Sequence, residues 1–167
     1  MVFARQDQVI KVGIAELDIV KSPHTIRTSG LGSCVGVVLY DDKKKIAGLV
    51  HIMLPDSSIN RSATINKAKF ANTGIQALIE LLLQNGAQKY RLKAKIAGGA
   101  QMFAFASNRD TMRIGPRNVE AVKEYLKQQG IPIIAEDVGG SNGRTIEFNP
   151  ETSRLSIRTV NKGVSEI

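Results

Sequence analysis

The sequence predicts a mixed α and β domain in which helices cover a β core, and it argues against a doubly wound parallel sheet. Apolar, β-branched segments indicate about seven strands, and two longer stretches carry the period of an amphipathic helix. Turns such as DDKKK (residues 41–45) and NPETS (149–153) join neighbouring strand candidates, and turns of that length require antiparallel pairing. A chain of 167 residues can bury one core, so we expect a single domain over residues 1–167.

The predicted strands are short apolar runs bounded by turn residues. They cover residues 8–14, 34–40, 46–54, 90–98, 131–138, 144–148 and 154–160. The second and third are separated only by DDKKK, so we expect them to form a hairpin.

The two predicted helices place apolar residues on one face. The first covers residues 66–86 and the second residues 117–130, and each ends at a glycine, which is a common helix stop. Their apolar faces consist of Phe70, Ile75, Leu78, Ile79 and Leu82 in the first helix and Val119, Val122 and Leu126 in the second.

The net charge of +8 is the strongest compositional signal, and it favours an acidic partner. Nucleic acid is disfavoured, because the chain has no tryptophan, only 5% aromatic residues and no glycine–aromatic platform for stacking bases. The densest basic run, DDKKK, is more simply explained as a solvated turn than as a phosphate-binding patch. A basic RNA-binding domain therefore stays a remote alternative.

The sequence gives no indication of export, membrane insertion or a bound metal. One cysteine cannot form an internal disulfide, and no apolar run approaches the ~20 residues that span a bilayer. We therefore expect a cytoplasmic protein. One cysteine and two histidines without a ligand pair at short spacing do not make a zinc shell, and no cofactor is expected.

Glycines surround the single cysteine in the segment RTSGLGSCVGVVLYDD (residues 27–42). Gly30, Gly32 and Gly36 nearly match the dinucleotide-binding fingerprint, but that fingerprint needs a strand before the glycines and a helix after them. Here we expect a polar loop before the glycines and a strand after them, which argues against nucleotide binding. Glycines in front of a strand instead let the backbone bend sharply and bring N–H groups close to a ligand.

Cys34 is a candidate nucleophile because of its position at the start of a predicted strand. The hairpin should bring His51 to the same end of the adjacent strand, and an adjacent imidazole is the base that a thiol needs. Two plainer interpretations stay open: Cys34 as a small buried apolar residue, and His51 as a hydrogen-bonded core residue. His24 follows KSP in a predicted loop and is expected at the surface.

Four segments of the chain carry a family resemblance. They are GLGSCVGVVLYDDKKKIAGLVHIMLP (30–55), AKIAGGAQMF (94–103), IGPRNVEAVKEYL (114–126) and GIPIIAEDVGGSNGRTIEF (130–148). In this order they resemble the signature blocks of the CheD family of chemoreceptor glutamine deamidases, from about residue 9 to about residue 160. Two positions depart from the family pattern: Pro116, where an acidic residue is often found, and Ser153, where glycine is frequent.

The resemblance implies an enzyme that hydrolyses glutamine side chains of methyl-accepting chemotaxis receptors to glutamate and releases ammonia. It also implies an α+β fold, a three-layer sandwich of helices on stacked, largely antiparallel β-sheets that is related to the cysteine-hydrolase fold. The implied partners are the cytoplasmic helices of chemoreceptors and the phosphatase CheC. The alternative is a non-catalytic module that holds CheC or a receptor.

The resemblance further places the catalytic cysteine at Cys34, the histidine at His51 and a threonine at Thr28. A hydroxyl at Thr28 would orient the imidazole through a hydrogen bond, whereas a loop threonine that caps a turn is the plainer interpretation.

Four more residues are candidates for the loops that touch substrate and hold the oxyanion. Two precede the nucleophile, and two are glycines in AGGAQMF that permit a close backbone approach or simply make a tight turn. They are Gly32, Ser33, Gly98 and Gly99.

Overall fold

The computed structural model describes residues 6–59, 65–102 and 113–167, and these contain ten strands and two α-helices. The helices are α1 (Ala71–Gln84) and α2 (Ile114–Gln128). The strands are β1 (Val9–Val12), β2 (Leu17–Lys21), β3 (Thr25–Leu31), β4 (Val35–Asp41), β5 (Ile46–Ile52), β6 (Lys93–Gly98), β7 (Ile133–Val138), β8 (Arg144–Asn149), β9 (Arg154–Thr159) and β10 (Gly163–Glu166).

The strands form two stacked sheets of five strands each. The central sheet has the order β2-β5-β4-β6-β7, and the outer sheet has the order β1-β3-β8-β9-β10. Both sheets are mixed, because β1 pairs with β3 and β6 pairs with β7 in parallel, while the other described pairings are antiparallel. With both helices on the free face of the central sheet, the predicted α+β sandwich is confirmed.

Strand β4 shows why the core has two halves. All seven of its residues are buried, because the strand lies in the middle of the central sheet and is covered on both faces. Val37 and Leu39 pack toward the helices, whereas Val38 and Tyr40 pack toward the outer sheet. The continuous apolar run CVGVVLY therefore encodes a strand that is buried on two sides.

Strand β3 corrects the prediction of a polar loop before the glycines. Ile26 and Thr28 are buried while Arg27 and Ser29 are exposed, so the strand has the expected period of two, but a threonine occupies one of its buried positions. Gly30, with a φ of +73°, lies where the pairing with β8 shifts register. A dinucleotide site is disfavoured all the same, because β4 rather than a helix follows the glycines.

The helices begin at different residues from those predicted. A short 3₁₀ helix, Lys67–Lys69, precedes α1, and α2 begins three residues before the predicted start at residue 117. Pro116 lies in the first turn of α2, where its missing N–H costs no intrahelical hydrogen bond. Neither of the helices in the described residues is long and apolar enough to cross a bilayer.

Candidate active site

A hydrogen bond between the two sheets joins Thr28 to His51. Thr28 lies on β3 of the outer sheet and His51 on β5 of the central sheet, and their side chains meet in the space between the layers. The distance from Thr28 Oγ1 to His51 Nδ1 is 2.8 Å. Thr28 is 2% exposed and His51 is fully buried. The plainer interpretation of Thr28 as a turn cap is therefore wrong.

The direction of this hydrogen bond follows from the other partner of the hydroxyl. Thr28 Oγ1 donates its proton to the carbonyl oxygen of Val12 on β1, at 2.7 Å. Since a hydroxyl has one proton, its oxygen must accept from His51 Nδ1–H. The neutral imidazole then carries its proton on Nδ1, and Nε2 has a free lone pair.

Burial keeps His51 neutral. Removal of the ring from water lowers the pKa of His51 from 6.5 to about 4, because the charged form is the one that loses hydration. Nε2 is buried and has no hydrogen-bond partner among the described residues. An unpartnered, unprotonated ring nitrogen is what a general base requires.

Cys34 lies on the same face of the central sheet as His51. Gly36 is directly opposite His51 in the β4–β5 pairing, and Cys34 is two residues before Gly36. The half-buried side chain of Cys34 packs with the apolar cluster between the sheets, as this alternation requires. The predicted hairpin therefore places cysteine and histidine at the same end of adjacent strands, as diagonal neighbours.

The thiol is protonated in this arrangement. Burial raises the pKa of Cys34 above its ordinary value of 9.0, although its own backbone N–H partly opposes the shift. Among the described residues no hydrogen bond links Sγ to His51 Nε2. The resting pair is a neutral thiol and a neutral imidazole, so the thiol must turn toward Nε2 and lose its proton to act as a nucleophile.

The loop before Cys34 presents two N–H groups that donate to no backbone carbonyl of the described residues, although the N–H of Cys34 also faces its own Sγ. Gly32 N donates to Gly30 O at 3.1 Å, which leaves it engaged, whereas no described backbone carbonyl accepts from the N–H of Ser33 or Cys34. The side chain of Met102 lies over Gly32 at the rim of the site, where a β-carbon on Gly32 would come within 3.3 Å of its Cγ. Two adjacent N–H groups beside the candidate nucleophile match the requirement of an oxyanion site.

Gly98 and Gly99 lie against the backbone of Cys34. Gly99 N donates to Cys34 O at 2.8 Å, and Ala100 N donates to Gly32 O at 2.8 Å. At Gly98, whose φ is +110°, a β-carbon would lie only 2.3 Å from Cys34 O. This close approach explains the glycine, and because Gly99 N–H is occupied it is not available as an oxyanion donor.

Two buried polar residues beside the site were not predicted from the sequence. Asn118 on α2 donates from Nδ2 to Ser33 O at 3.0 Å and to Met53 O at 2.8 Å. Arg144 on β8 donates to Gly139 O at 2.9 Å, to Asp137 Oδ1 at 3.2 Å and to Gly98 O at 3.4 Å.

A signal for both residues was present in the sequence. Asn118 lies four residues before Val122, in the apolar stripe of its helix, and Arg144 occupies the buried register of Ile146 in its strand. A polar residue at a core position indicates a buried hydrogen-bonding role.

The second histidine, His24, is not part of the candidate site. His24 is half-buried, and its Nδ1 accepts a hydrogen bond from Gln8 N at 2.9 Å, so it is tied to the start of β1 rather than free at the surface. Within residues 6–59, 65–102 and 113–167, no three His, Cys, Asp or Glu side chains cluster in a way that could hold a metal ion.

Comparison with known proteins shows the family. A family model described as CheD chemotactic sensory transduction matches residues 53–159. The chemoreceptor glutamine deamidase CheD of Halalkalibacterium halodurans is 66% identical over 161 residues, which cover 96% of this chain and 99% of that protein. The chain belongs to the CheD family. The resemblance in the four sequence segments is thereby confirmed.

Other CheD proteins are similar over nearly the whole chain. The chemoreceptor glutamine deamidase CheD of Bacillus subtilis is 58% identical, over 95% of this chain and 96% of its own length. That of Bacillus licheniformis is 54% identical, over 99% of both chains. The family-model match begins after His51, whereas the alignments with these relatives extend over the segment with Thr28, Cys34 and His51.

Proposed function

We propose that this protein is a protein-glutamine glutaminase, which deamidates glutamine side chains of chemoreceptors to glutamate. The observation that carries the proposal is the hydrogen-bond chain from His51 through Thr28 to Val12, which leaves Nε2 as an unprotonated base on the same sheet face as Cys34. The names of the CheD relatives, chemoreceptor glutamine deamidases, supply the substrate class.

In the first half of the reaction Cys34 is the nucleophile. His51 Nε2 takes the proton of the thiol as Sγ bonds to the carboxamide carbon, and the carbonyl electron pair moves onto oxygen. The N–H groups of Ser33 and Cys34 hold this oxyanion. The imidazolium then gives its proton to the departing nitrogen, the C–N bond breaks, and ammonia leaves a thioester on Cys34.

In the second half water replaces ammonia. His51 Nε2 takes a proton from water as its oxygen bonds to the thioester carbon, and a second oxyanion forms in the same position. When the C–S bond breaks, the proton returns to sulfur. The products are a glutamate side chain and the free thiol, so no cofactor or metal takes part in the proposed mechanism.

Thr28 is proposed to fix the tautomer of the base. The Val12 carbonyl can only accept, so it directs the hydroxyl proton away from His51 and requires Nδ1 to be the donor. When His51 becomes charged, the hydroxyl oxygen still accepts from Nδ1–H. A neutral hydroxyl stabilises the imidazolium less than a carboxylate would, so the role of Thr28 is chiefly geometric.

The charge of the protein suits the proposed substrate. Receptor segments that carry glutamate and glutamine are acidic, and a net charge of +8 favours their approach through long-range attraction. Action on the cytoplasmic helices of receptors would place the enzyme in the cytoplasm. On resemblance alone, the phosphatase CheC is proposed as a regulatory partner, and residues 1–167 are proposed to form one domain.

The test is incubation of a purified receptor cytoplasmic fragment with this protein in H₂¹⁸O, followed by peptide mass spectrometry. We expect particular glutamines to become glutamates that carry one ¹⁸O from water, with release of an equal amount of ammonia. The proposal would be contradicted if receptor glutamines stayed unchanged while the protein bound the fragment, since that result describes a non-catalytic binding module.

A further inference from the structure

Asn118 connects the two segments that carry the proposed catalytic pair. It is fully buried in the apolar stripe of α2. One of its two accepting carbonyls belongs to Ser33, immediately before Cys34, and the other to Met53, two residues after His51. A single amide nitrogen thus ties the nucleophile loop to the end of β5.

The orientation of the amide is fixed by its surroundings. Nδ2 has two protons and faces two carbonyl oxygens, so both protons are used. The reverse orientation would place Oδ1 against the same two oxygens, where no hydrogen bond can form. Oδ1 itself is buried and has no partner among the described residues. An unpaired buried oxygen is costly, and here that cost accompanies two donor hydrogen bonds from the same amide.

The contact with Ser33 acts on the peptide unit that contains the N–H of Cys34. This unit is planar and trans, so its C=O and N–H point in opposite directions. A side chain that holds Ser33 O therefore also fixes the direction of Cys34 N–H. The same loop is held from the other side, because Gly99 N donates to Cys34 O.

We propose that Asn118 is a positioning residue for the oxyanion site, holding the Ser33–Cys34 peptide so that Cys34 N–H faces the reacting carbonyl. The inference rests on the proposed function, with Cys34 as the nucleophile. Asn118 does not touch substrate in this account. It acts because an oxyanion donor stabilises the transition state only when it is aimed before charge develops.

The decisive variant is Asn118→Leu, which keeps the size of the side chain and removes both donors. We expect kcat for a receptor fragment to fall ~100-fold, as for a lost oxyanion donor, with little change in KM. The rate at which iodoacetamide alkylates Cys34 should stay at the wild-type level. Cys34 is the only thiol in the chain, so alkylation reports on the nucleophile alone.

A matched control is Val122→Ala, one turn further along α2 and also fully buried. This change should lower the free energy of unfolding without lowering kcat, because Val122 packs with the apolar core and not on the loop. If Val122→Ala and Asn118→Leu lower kcat equally, the effect comes from loss of stability and the proposal is wrong.

Asn118→Asp gives a readout that a packing role would not produce. A protonated carboxyl has one proton and can donate to one of the two carbonyls, whereas a carboxylate can donate to neither, so kcat of this variant should rise in part toward the wild-type value as the pH falls, while that of the wild type does not. A flat profile parallel to the wild type would overturn the proposal.

The proposed function and this inference fail in different ways. If Cys34→Ala turns over receptor glutamine as fast as the wild type, the proposed mechanism is wrong, and the role of Asn118 is lost with it. If Cys34→Ala is inactive but Asn118→Leu keeps the wild-type kcat, the mechanism stands and the inference about Asn118 is wrong.

Discussion

The two ends of the β4–β5 hairpin differ in whether their buried polar atoms have hydrogen-bond partners. At the turn end, the fully buried carboxylate of Asp41 accepts from Arg91 Nε at 3.0 Å and from the backbone N–H groups of Gln88, Lys43 and Lys44 at 3.0–3.2 Å. Burial alone would raise the pKa of Asp41, but these hydrogen bonds hold it below its ordinary value. This end is closed and fully paired.

At the other end, which holds Cys34 and His51, some buried polar side-chain atoms have no hydrogen-bond partner among the described residues. In the part of the chain that the structure describes, the buried side-chain nitrogens and oxygens without a hydrogen bond are His51 Nε2, Asn118 Oδ1 and Arg144 Nε, and all three residues lie around the start of β4. Unpaired buried polar groups are costly, so their concentration at this end of the hairpin supports the proposal that the reaction takes place there.

The largest effect is expected from the nucleophile. Cys34→Ala should abolish deamidation, and Cys34→Ser should be nearly as inactive, because a hydroxyl is a far poorer nucleophile than the thiolate formed in the reaction. Circular dichroism and the unfolding midpoint should stay close to the wild type, since the side chain is small and half-buried. Deamidation is measured as ammonia release from a receptor fragment. Residual turnover by Cys34→Ala would show that Cys34 is not the nucleophile.

A smaller loss is expected at Thr28. Thr28→Val keeps the shape but removes the acceptor of His51 Nδ1–H and the donor to Val12, so kcat should fall ~10- to 1,000-fold. Thr28→Ser keeps the hydroxyl and should recover much of the activity. The comparison of kcat for the two variants is decisive. Equal turnover would mean that Thr28 only fills space between the sheets.

At the closed end the expected effect is on stability and not on turnover. Asp41→Asn removes a buried charge that pairs with Arg91, and we expect the free energy of unfolding to fall by about 1–3 kcal/mol. Receptor deamidation at a permissive temperature should continue at the wild-type rate. Urea denaturation and ammonia release on the same sample test both statements, and a variant with normal stability but low kcat would remove the distinction between the two ends.

The sequence was most informative where burial follows the simple periods. The central hairpin of β4 and β5 and the apolar faces of α1 and α2 could be predicted because their side chains alternate or repeat as packing requires. Strand β3 could not be predicted, because its buried Thr28 and its Gly30 interrupt the alternation of apolar and polar residues. Strand β10 is exposed along its length and therefore has no apolar pattern to detect.

Some contacts of the candidate site could likewise be predicted from the sequence, and others could not. Cys34 and His51 could be paired from the sequence because one short turn joins their strands, and the register is then fixed. The contact of Thr28 with His51 depends on how two sheets stack, and the contact of Asn118 with Ser33 depends on where α2 begins. Contacts of this kind join segments far apart in the chain, and local patterns do not determine them.

The most direct test of the proposed site is the protonation state of His51, measured by ¹⁵N NMR of the labelled imidazole rings. A His24→Gln variant leaves His51 as the only histidine and so assigns its signals. We expect a neutral ring at pH 7 with the proton on Nδ1 and a bare Nε2. Burial lowers the pKa of His51 to about 4, so charging should begin only as the pH approaches that value and not near 6.5. The account would be contradicted by an imidazolium at pH 7, or by a neutral ring with its proton on Nε2, because neither form can take a proton from Cys34.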